Sequence, residues 1–494
     1  MARVRRRWGS GIDTAWLQLE REDNSVVVHG VLWCEGPVDV AALRERVRER
    51  WLPHYPGLRQ RPVWAPGHLG PVRWQEHSVD LEAHVREGTL SGGDGADDGR
   101  ADDEDTALAT AIGAALSTSL PTDRPWWRLT VYTGARSGRS AIHVALHHGL
   151  GDGVAMNHLF HVLGDADLGE DTPVAYRAAP VALRGPGDVR VFGRGVRERR
   201  GVLGAQIRDA MGGRRGELVR TARAVLRGTV LLVRPHRDAR TLLQGSIGPD
   251  KAVRWTPPLE LSTVKAAGKR DGGSVNDVLC AAVAGALRTF LAEAEAEAEP
   301  GAGAGTAGGA GAGAGGGAGT GGGGPVPRLR AVVPTNLRPM DRPVSVRLGN
   351  EVGLALPSLP TDESDPVRRV QRMHRTMAAV KRTDQALVTF AGIAVGGLFS
   401  PRRTRGLVRR YAGTSSVVIS NVPGPVTELS VAGAPVSGML FWVPCTWRLA
   451  LGVSILSYAG RLRLGVAGDT RVLDRAGGID RFTALLDAEL DRVR

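Results

Sequence analysis

Cysteine is scarce in this chain: 3 residues, Cys34, Cys280 and Cys445, lie far apart in 494. That spacing offers neither a thiolate metal site nor a disulfide framework, and it suits a reducing cytosol. Aromatic residues are few, at 5%. Long apolar runs are missing, since no stretch reaches the roughly 20 apolar residues that span a bilayer. The longest uncharged candidate, Ala386 to Ser400, is too short and too rich in glycine. The basic start, Met1 to Trp8, is not followed by an apolar segment, so no secretory signal is expected. These absences argue against a secreted disulfide scaffold and a membrane-spanning protein, and predict a cytoplasmic location.

What remains is an ordinary apolar share of 42% and a marked excess of arginine. The net charge of +13 is unevenly spread: residues 181–240 hold 15 Arg against 5 Asp or Glu. Such a stretch is a solvated helical face, or it meets anionic lipid, the phosphates of an acyl carrier or nucleic acid. No zinc pattern or nucleic-acid fold signature accompanies it, so no nucleic-acid partner is expected. A chain this long exceeds what one core usually serves. The expected organisation is an N-terminal unit over 1–180, a basic helical crossover over 181–245 and a C-terminal unit over 246–494.

Two segments read as unstructured. Residues 91–105 mix glycine with 7 acidic residues and predict an exposed loop; residues 301–324 hold 15 glycines in 24 and predict a flexible linker. Alternation predicts strands over 25–33, 127–133 and 140–147, and later over 328–333, 415–420, 438–443, 449–458 and 461–467. Helical periodicity falls on 38–51, 153–163, 217–226, 274–298 and 480–492. Asp39 sits near the first of these starts, and Ser274 with Asp277 forms an acidic capping box. The pattern is mixed α and β.

The chemistry-bearing run is His147-His148-Gly149-Leu150-Gly151-Asp152-Gly153. Acyl transfer to a hydroxyl needs a base near neutral pH, and histidine supplies one. Along 140–148, Ile142, Val144 and Leu146 fall on one face, and His143, Ala145 and His147 on the other. His147 and His148 therefore point opposite ways, and His148, at the strand end beside a glycine turn, is better placed to face a cavity. Gly149, Gly151 and Gly153 allow the tight turn. Asp152 is a cap for the following helix or an ion-pair partner for an arginine, supporting the site rather than moving the proton. His143 and His147 share a face, but no third ligand with metal-site spacing accompanies them, so no metal is expected.

The run has the His-His-x-x-x-Asp-Gly form and so resembles the chloramphenicol acetyltransferase-like superfamily. Further blocks resemble the bacterial wax ester synthase/diacylglycerol acyltransferase family. These are Gly11-Ile12-Asp13-Thr14-Ala15-Trp16-Leu17, Arg124-Pro125-Trp126-Trp127, Ser274-Val275-Asn276-Asp277-Val278-Leu279 and Val333-Pro334-Thr335-Asn336-Leu337-Arg338. Leu348-Gly349-Asn350 and Ser420-Asn421-Val422-Pro423-Gly424-Pro425 complete the set. They occur in the family's order over almost the whole chain. Trp16 and Trp126 depart from the usual residues, and the linker, acidic loop and basic crossover are extra.

The resemblance implies an α/β fold of two similar halves with mixed sheets and an active-site tunnel between them. It implies acyl-CoA as donor substrate, no cofactor, and a long-chain alcohol or diacylglycerol as acceptor. It also implies His148 as general base, with His147, Asp152 and Gly153 supporting. A ternary complex is expected, because no Gly-x-Ser-x-Gly elbow is present. Asn276 is the candidate oxyanion donor, with Asp277 beside it. Arg338 would pair with Asp152 or with CoA phosphates, and Asn421 and Gly424 would shape a turn near the tunnel. Ala386 to Ser400, followed by Arg402, Arg403, Arg405, Arg409 and Arg410, reads as a buried helix or as an edge resting on anionic membrane or a lipid droplet. A condensation-type enzyme fed by a carrier protein and an inactive binding protein are the rival readings.

Overall fold

The structure is a computed structural model that describes residues 6–21, 24–64, 70–90, 101–134, 137–165, 237–298, 326–338, 344–345 and 347–494. The 301–324 linker, and the crossover as far as residue 236 with its expected helix at 217–226, lie outside the described residues.

Strands β1 to β7 are Arg6–Trp8, Val27–Cys34, Gln60–Val63, Arg73–Glu76, Val85–Gly88, Trp127–Thr133 and Ser140–His147. Strands β8 to β12 are Lys251–Trp255, Leu259–Glu260, Leu329–Asn336, Val352–Ala355 and Ser358–Leu359. Strands β13 to β17 are Val417–Pro423, Ser430–Val431, Ala434–Trp442, Leu451–Tyr458 and Arg461–Asp469. Helices α1 to α6 are Gly11–Leu19, Val40–Arg50, Leu81–His84, Ala101–Leu116, Gly153–Leu163 and Leu261–Asp271. Helices α7 to α12 are Val275–Ala298, Pro366–Lys381, Gln385–Gly396, Pro401–Ala412, Thr470–Leu473 and Gly478–Asp491.

The predicted strands 127–133 and 140–147 and the predicted helix 153–163 have the observed bounds of β6, β7 and α5. Their ends are set by local chemistry. Asp39 caps α2 by accepting from the Ala41 N–H at 2.8 Å. At α7, Asp277 Oδ2 accepts from both the N–H and the hydroxyl of Ser274, each at 2.8 Å. Of the expected acidic loop 91–105, residues 91–100 lie outside the described residues, and residues 101–105 are helical, because α4 starts at Ala101. Acidic residues in a first helical turn oppose the positive end of the helix dipole, which favours helix there over loop.

Two mixed sheets carry the molecule. One runs β14-β15-β2-β7-β6-β5; the other runs β11-β10-β13-β16-β17-β8, with β12 on β10 and β9 on β17. The small antiparallel sheet β1-β4-β3 stands apart from both. The expected boundary at 245/246 is crossed. Strand β15 leaves the C-terminal half and pairs with β2, so residues 434–442 complete the N-terminal sheet.

The C-terminal sheet is buried on both faces. Val417, Ile419, Val453 and Ile455 join the core made with α7, α8 and α12, whereas Val332, Val418, Val422 and Leu456 belong to the core of the N-terminal half. Alternation along each strand assigns these faces. Contrary to the expectation from composition, α7 is long and apolar enough to cross a membrane, but 72% of its apolar window is buried inside the molecule. It is a core helix.

Helix α1 crosses to the other half and packs on α9 and α10. The approach is close: a Cβ on Gly397 would lie 1.8 Å from the Gly11 carbonyl oxygen. Gly397→Ala is therefore expected to push the helices apart and lower stability by about 1–3 kcal/mol, read as a lower thermal midpoint by circular dichroism.

Candidate active site

Strand β7 delivers two adjacent histidines to two different environments. His147 is buried; its Nδ1 accepts from the Gly149 N–H at 2.9 Å, so its proton sits on Nε2, 3.3 Å from Glu20 Oε2. Trp126 packs edge-on against it with ring centroids 4.4 Å apart. Burial works to raise the Glu20 carboxyl, but hydrogen bonds and charge from His147, with the Val26 N–H and the Ser119 hydroxyl, hold it below its usual value.

His148 is half-buried and lines an apolar cavity. Its ring stacks on Trp16 of α1, with centroids 3.9 Å apart and planes 11° from parallel. Its Nδ1 lies 2.8 Å from Asn350 Oδ1. The Asn350 amide is oriented by two acceptors, because its Nδ2 donates to Asp13 Oδ1 at 2.9 Å and to the His148 carbonyl at 2.8 Å. The oxygen must then face the ring, and His148 must donate from Nδ1. This leaves the Nε2 lone pair free to take a proton. Burial lowers the pKa of His148 from its ordinary value, and the charge of Asp152 and the Asn350 hydrogen bond only partly oppose this.

Asp152 and Arg338 form a buried pair, with Nη1 2.8 Å from Oδ1 and 2.7 Å from Oδ2. Asp152 also caps α5 through the Ala155 N–H at 3.0 Å and accepts from the Glu351 N–H at 3.0 Å. Arg338 Nη2 donates to the Gly349 carbonyl at 2.8 Å. Burial alone would raise the Asp152 carboxyl, but Arg338 together with the Glu351 and Ala155 N–H groups outweighs it and holds the group below its usual value. A parallel bridge between Gly151 and Gly349 completes the seam, so the glycine turn of one half is clamped to the 348–351 segment of the other. Of the two partners the sequence allowed Arg338, the structure shows Asp152; the guanidinium is 8% exposed.

Gly153 opens α5 against Val422 of β13, where a Cβ would stand 3.1 Å from the Val422 methyl. Gly424 packs more closely still, with a Cβ position 2.0 Å from the Ser457 carbonyl oxygen. The two asparagine candidates lie elsewhere. Asn421 Nδ2 donates to Asn276 Oδ1 at 3.4 Å, and neither residue lines the cavity beside His148. Alternation explains this, since Asn421 shares the face of β13 that carries Val417 and Ile419 toward α7. Asp277 is spent on Ser274 and on His374 Nδ1, 2.8 Å away. His143, the remaining member of the histidine face, pairs with His29 at 3.0 Å, and burial drives its pKa down to about 3.

The cavity walls come mostly from the C-terminal half: Val332, Leu354, Thr389, Ile393, Leu407 and Tyr411 are among them. The stretch 386–400 thus supplies cavity wall through α9, none of whose residues is exposed, while Phe399 beyond the helix is exposed. The Tyr411 hydroxyl in this wall is a buried polar group without a hydrogen-bond partner among the described residues. Asn350, Asp13 and Trp16 stand in blocks quoted from the sequence, but their roles at His148 were not read there. A motif names its residues but not which of them meet across 202 or 337 positions.

Comparison with known proteins identifies the family. Residues 10–279 match the wax ester synthase/diacylglycerol acyltransferase catalytic domain, and residues 348–488 match the C-terminal domain of the same family. The probable diacylglycerol O-acyltransferase tgs2 of Mycobacterium tuberculosis is 26% identical over 97% of this chain and 96% of its own length. The tgs1 protein of the same organism is 24% identical over 95% and 92%. In fold, the chain is similar to the wax ester synthase/diacylglycerol acyltransferase of Marinobacter aquaeolei VT8 (TM-score 0.60, 22% identity, 97% of each chain). It is also similar to the first condensation domain of the CDA synthetase (TM-score 0.54, 17% identity, 100% and 98%). With the catalytic-domain match alone spanning more than half of its residues, the chain belongs to the wax ester synthase/diacylglycerol acyltransferase family.

Proposed function

We propose that the chain is an O-acyltransferase moving a long-chain acyl group from acyl-CoA to a long-chain alcohol or diacylglycerol, forming wax ester or triacylglycerol. The observation that carries this reading is the hydrogen bond from His148 Nδ1 to an Asn350 amide that can only accept. It leaves an unprotonated Nε2 on a ring that lines an apolar cavity. The acceptor hydroxyl gives its proton to Nε2 as its oxygen attacks the thioester carbonyl. The tetrahedral oxyanion then collapses, the C–S bond breaks, and the leaving thiolate takes the proton from Nε2. Transfer is direct. The three thiols are buried, and burial pushes each up to about 12, too high for a thiolate nucleophile at neutral pH.

Incubating the purified chain with palmitoyl-CoA and either hexadecanol or dioleoylglycerol tests this reading. Wax ester or triacylglycerol is expected, with one free CoA thiol per ester bond; no ester with either acceptor contradicts it. Asn350→Ala removes the acceptor that fixes the tautomer. Losing a hydrogen bond of roughly 1–2 kcal/mol at the base predicts a fall in kcat of about 5- to 30-fold. KM should be little changed, and steady-state kinetics would show the split.

A further inference from the structure

The apolar cavity does not end in apolar surface. At one side it meets a polar cleft bordered by Arg21, Arg409 and Arg448, with Trp447 lining both spaces. No carboxylate is among the described residues that line this cleft. Three chain segments change character at the same junction. Leu19 lines the cavity and Arg21 the cleft; Val408 lines the cavity and Arg409 the cleft; Trp447 reaches both and Arg448 only the cleft. All three arginines are exposed.

The junction is built rather than incidental. Trp447 holds a left-handed backbone, φ 60°, which strains a residue other than glycine. Buried Asn24 supports it, accepting from the Trp447 N–H at 2.7 Å and donating to the Leu19 carbonyl at 3.0 Å. One side chain thereby ties the end of α1 to the turn that carries Arg448. Trp447 Nε1 is itself a buried donor without a hydrogen-bond partner among the described residues. Arg338, the candidate for CoA phosphates in the sequence, is committed to Asp152.

We propose that this cleft binds the phosphates of the donor's phosphopantetheine-bearing headgroup. The pantetheine arm passes Trp447, whose indole N–H can donate to an amide carbonyl, and brings the thioester to His148. Guanidinium groups suit phosphate by charge and by paired donors. The proposal rests on acyl transfer at His148, and its test separates the two.

Steady-state kinetics would be run on the wild type, Arg409→Ala, Arg448→Ala and the double variant. The donors are palmitoyl-CoA, palmitoyl-4′-phosphopantetheine and phosphate-free palmitoyl-pantetheine. For exposed charge contacts of at most about 1 kcal/mol, KM for palmitoyl-CoA should rise about threefold per arginine and about tenfold for the double variant. The rise should vanish with palmitoyl-pantetheine. A full effect with phosphopantetheine assigns the cleft to the phosphate that CoA shares with carrier proteins; an effect confined to CoA assigns it to the nucleotide. An unchanged KM for palmitoyl-CoA, or an equal rise with the phosphate-free donor, overturns the proposal. Should the wild type form ester from no donor, the acyl-transfer reading fails by itself. Calorimetric titration with 3′,5′-ADP then decides the cleft: binding weakened in the double variant supports it, and no difference overturns it.

Discussion

His148→Ala is expected to lower kcat by about 10²–10⁴-fold, the range for loss of a positioned general base. The fold should survive, because His148 is half-buried and, among the described residues, its ring is held by a hydrogen bond to Asn350 and a stack on Trp16. Two sequels of the substitution are definite. Asn350 Oδ1 loses its donor, and Trp16 loses the ring against which it lies. Neither breaks the seam between the halves, which runs through Asp152, Arg338, Gly151 and Gly349. Loss of turnover with an unchanged far-ultraviolet spectrum and a thermal midpoint near that of the wild type is the expected result. Wild-type turnover by the variant would remove His148 from the chemistry.

Asp152→Asn should instead strike stability. It leaves the Arg338 side chain buried, 8% exposed, with its closer carboxylate partner gone and only Glu351, 3.8 Å from Nε, to balance it. Removing one member of such a pair typically costs about 3–5 kcal/mol, whereas exchanging both members for apolar groups is far less harmful. Asp152→Asn should therefore lower the denaturation midpoint more than the double variant Asp152→Asn with Arg338→Met does, as a double-mutant cycle would show. The pH dependence follows from the depressed Asp152 pKa. The stabilisation is fully present above the carboxyl pKa of the unfolded chain and is lost as pH falls through the lower folded value. Wild type should thus keep this contribution in mild acid. Activity should fall too, since the same carboxylate holds the Glu351 N–H next to Asn350.

These two residues were legible in the sequence for different reasons. The β6, β7 and α5 bounds follow from alternation, a glycine turn and an Asp cap, all local in the chain. The separation of His147 from His148 follows from the same alternation. What the sequence hid is long-range. Asn350 and Asp13 reach His148 from positions far away along the chain, and nothing in their local pattern distinguishes them from a turn residue and a helix start. Asn276 and Asn421 illustrate the converse: both sit in strong motifs, yet they pair with each other, and neither lines the apolar cavity beside His148. The contribution of β15 to the N-terminal sheet was invisible for a similar reason, because its pattern sets a strand's faces but not its neighbour. The apolar stretch 386–400 has one composition whether it faces lipid, core or a substrate cavity, and only its packing against α1 and β11 decides.

The most direct test of His148 as the base is the pH profile of kcat/KM for ester formation, measured for the wild type and for His148→Ala. Because burial lowers the His148 pKa, the neutral ring should persist below its ordinary titration range. The wild-type profile should fall on the acid side with a single ionisation whose midpoint lies below about 6.5. In His148→Ala that acid limb should be absent from the residual activity. An acid limb with the same midpoint in both proteins would contradict the account.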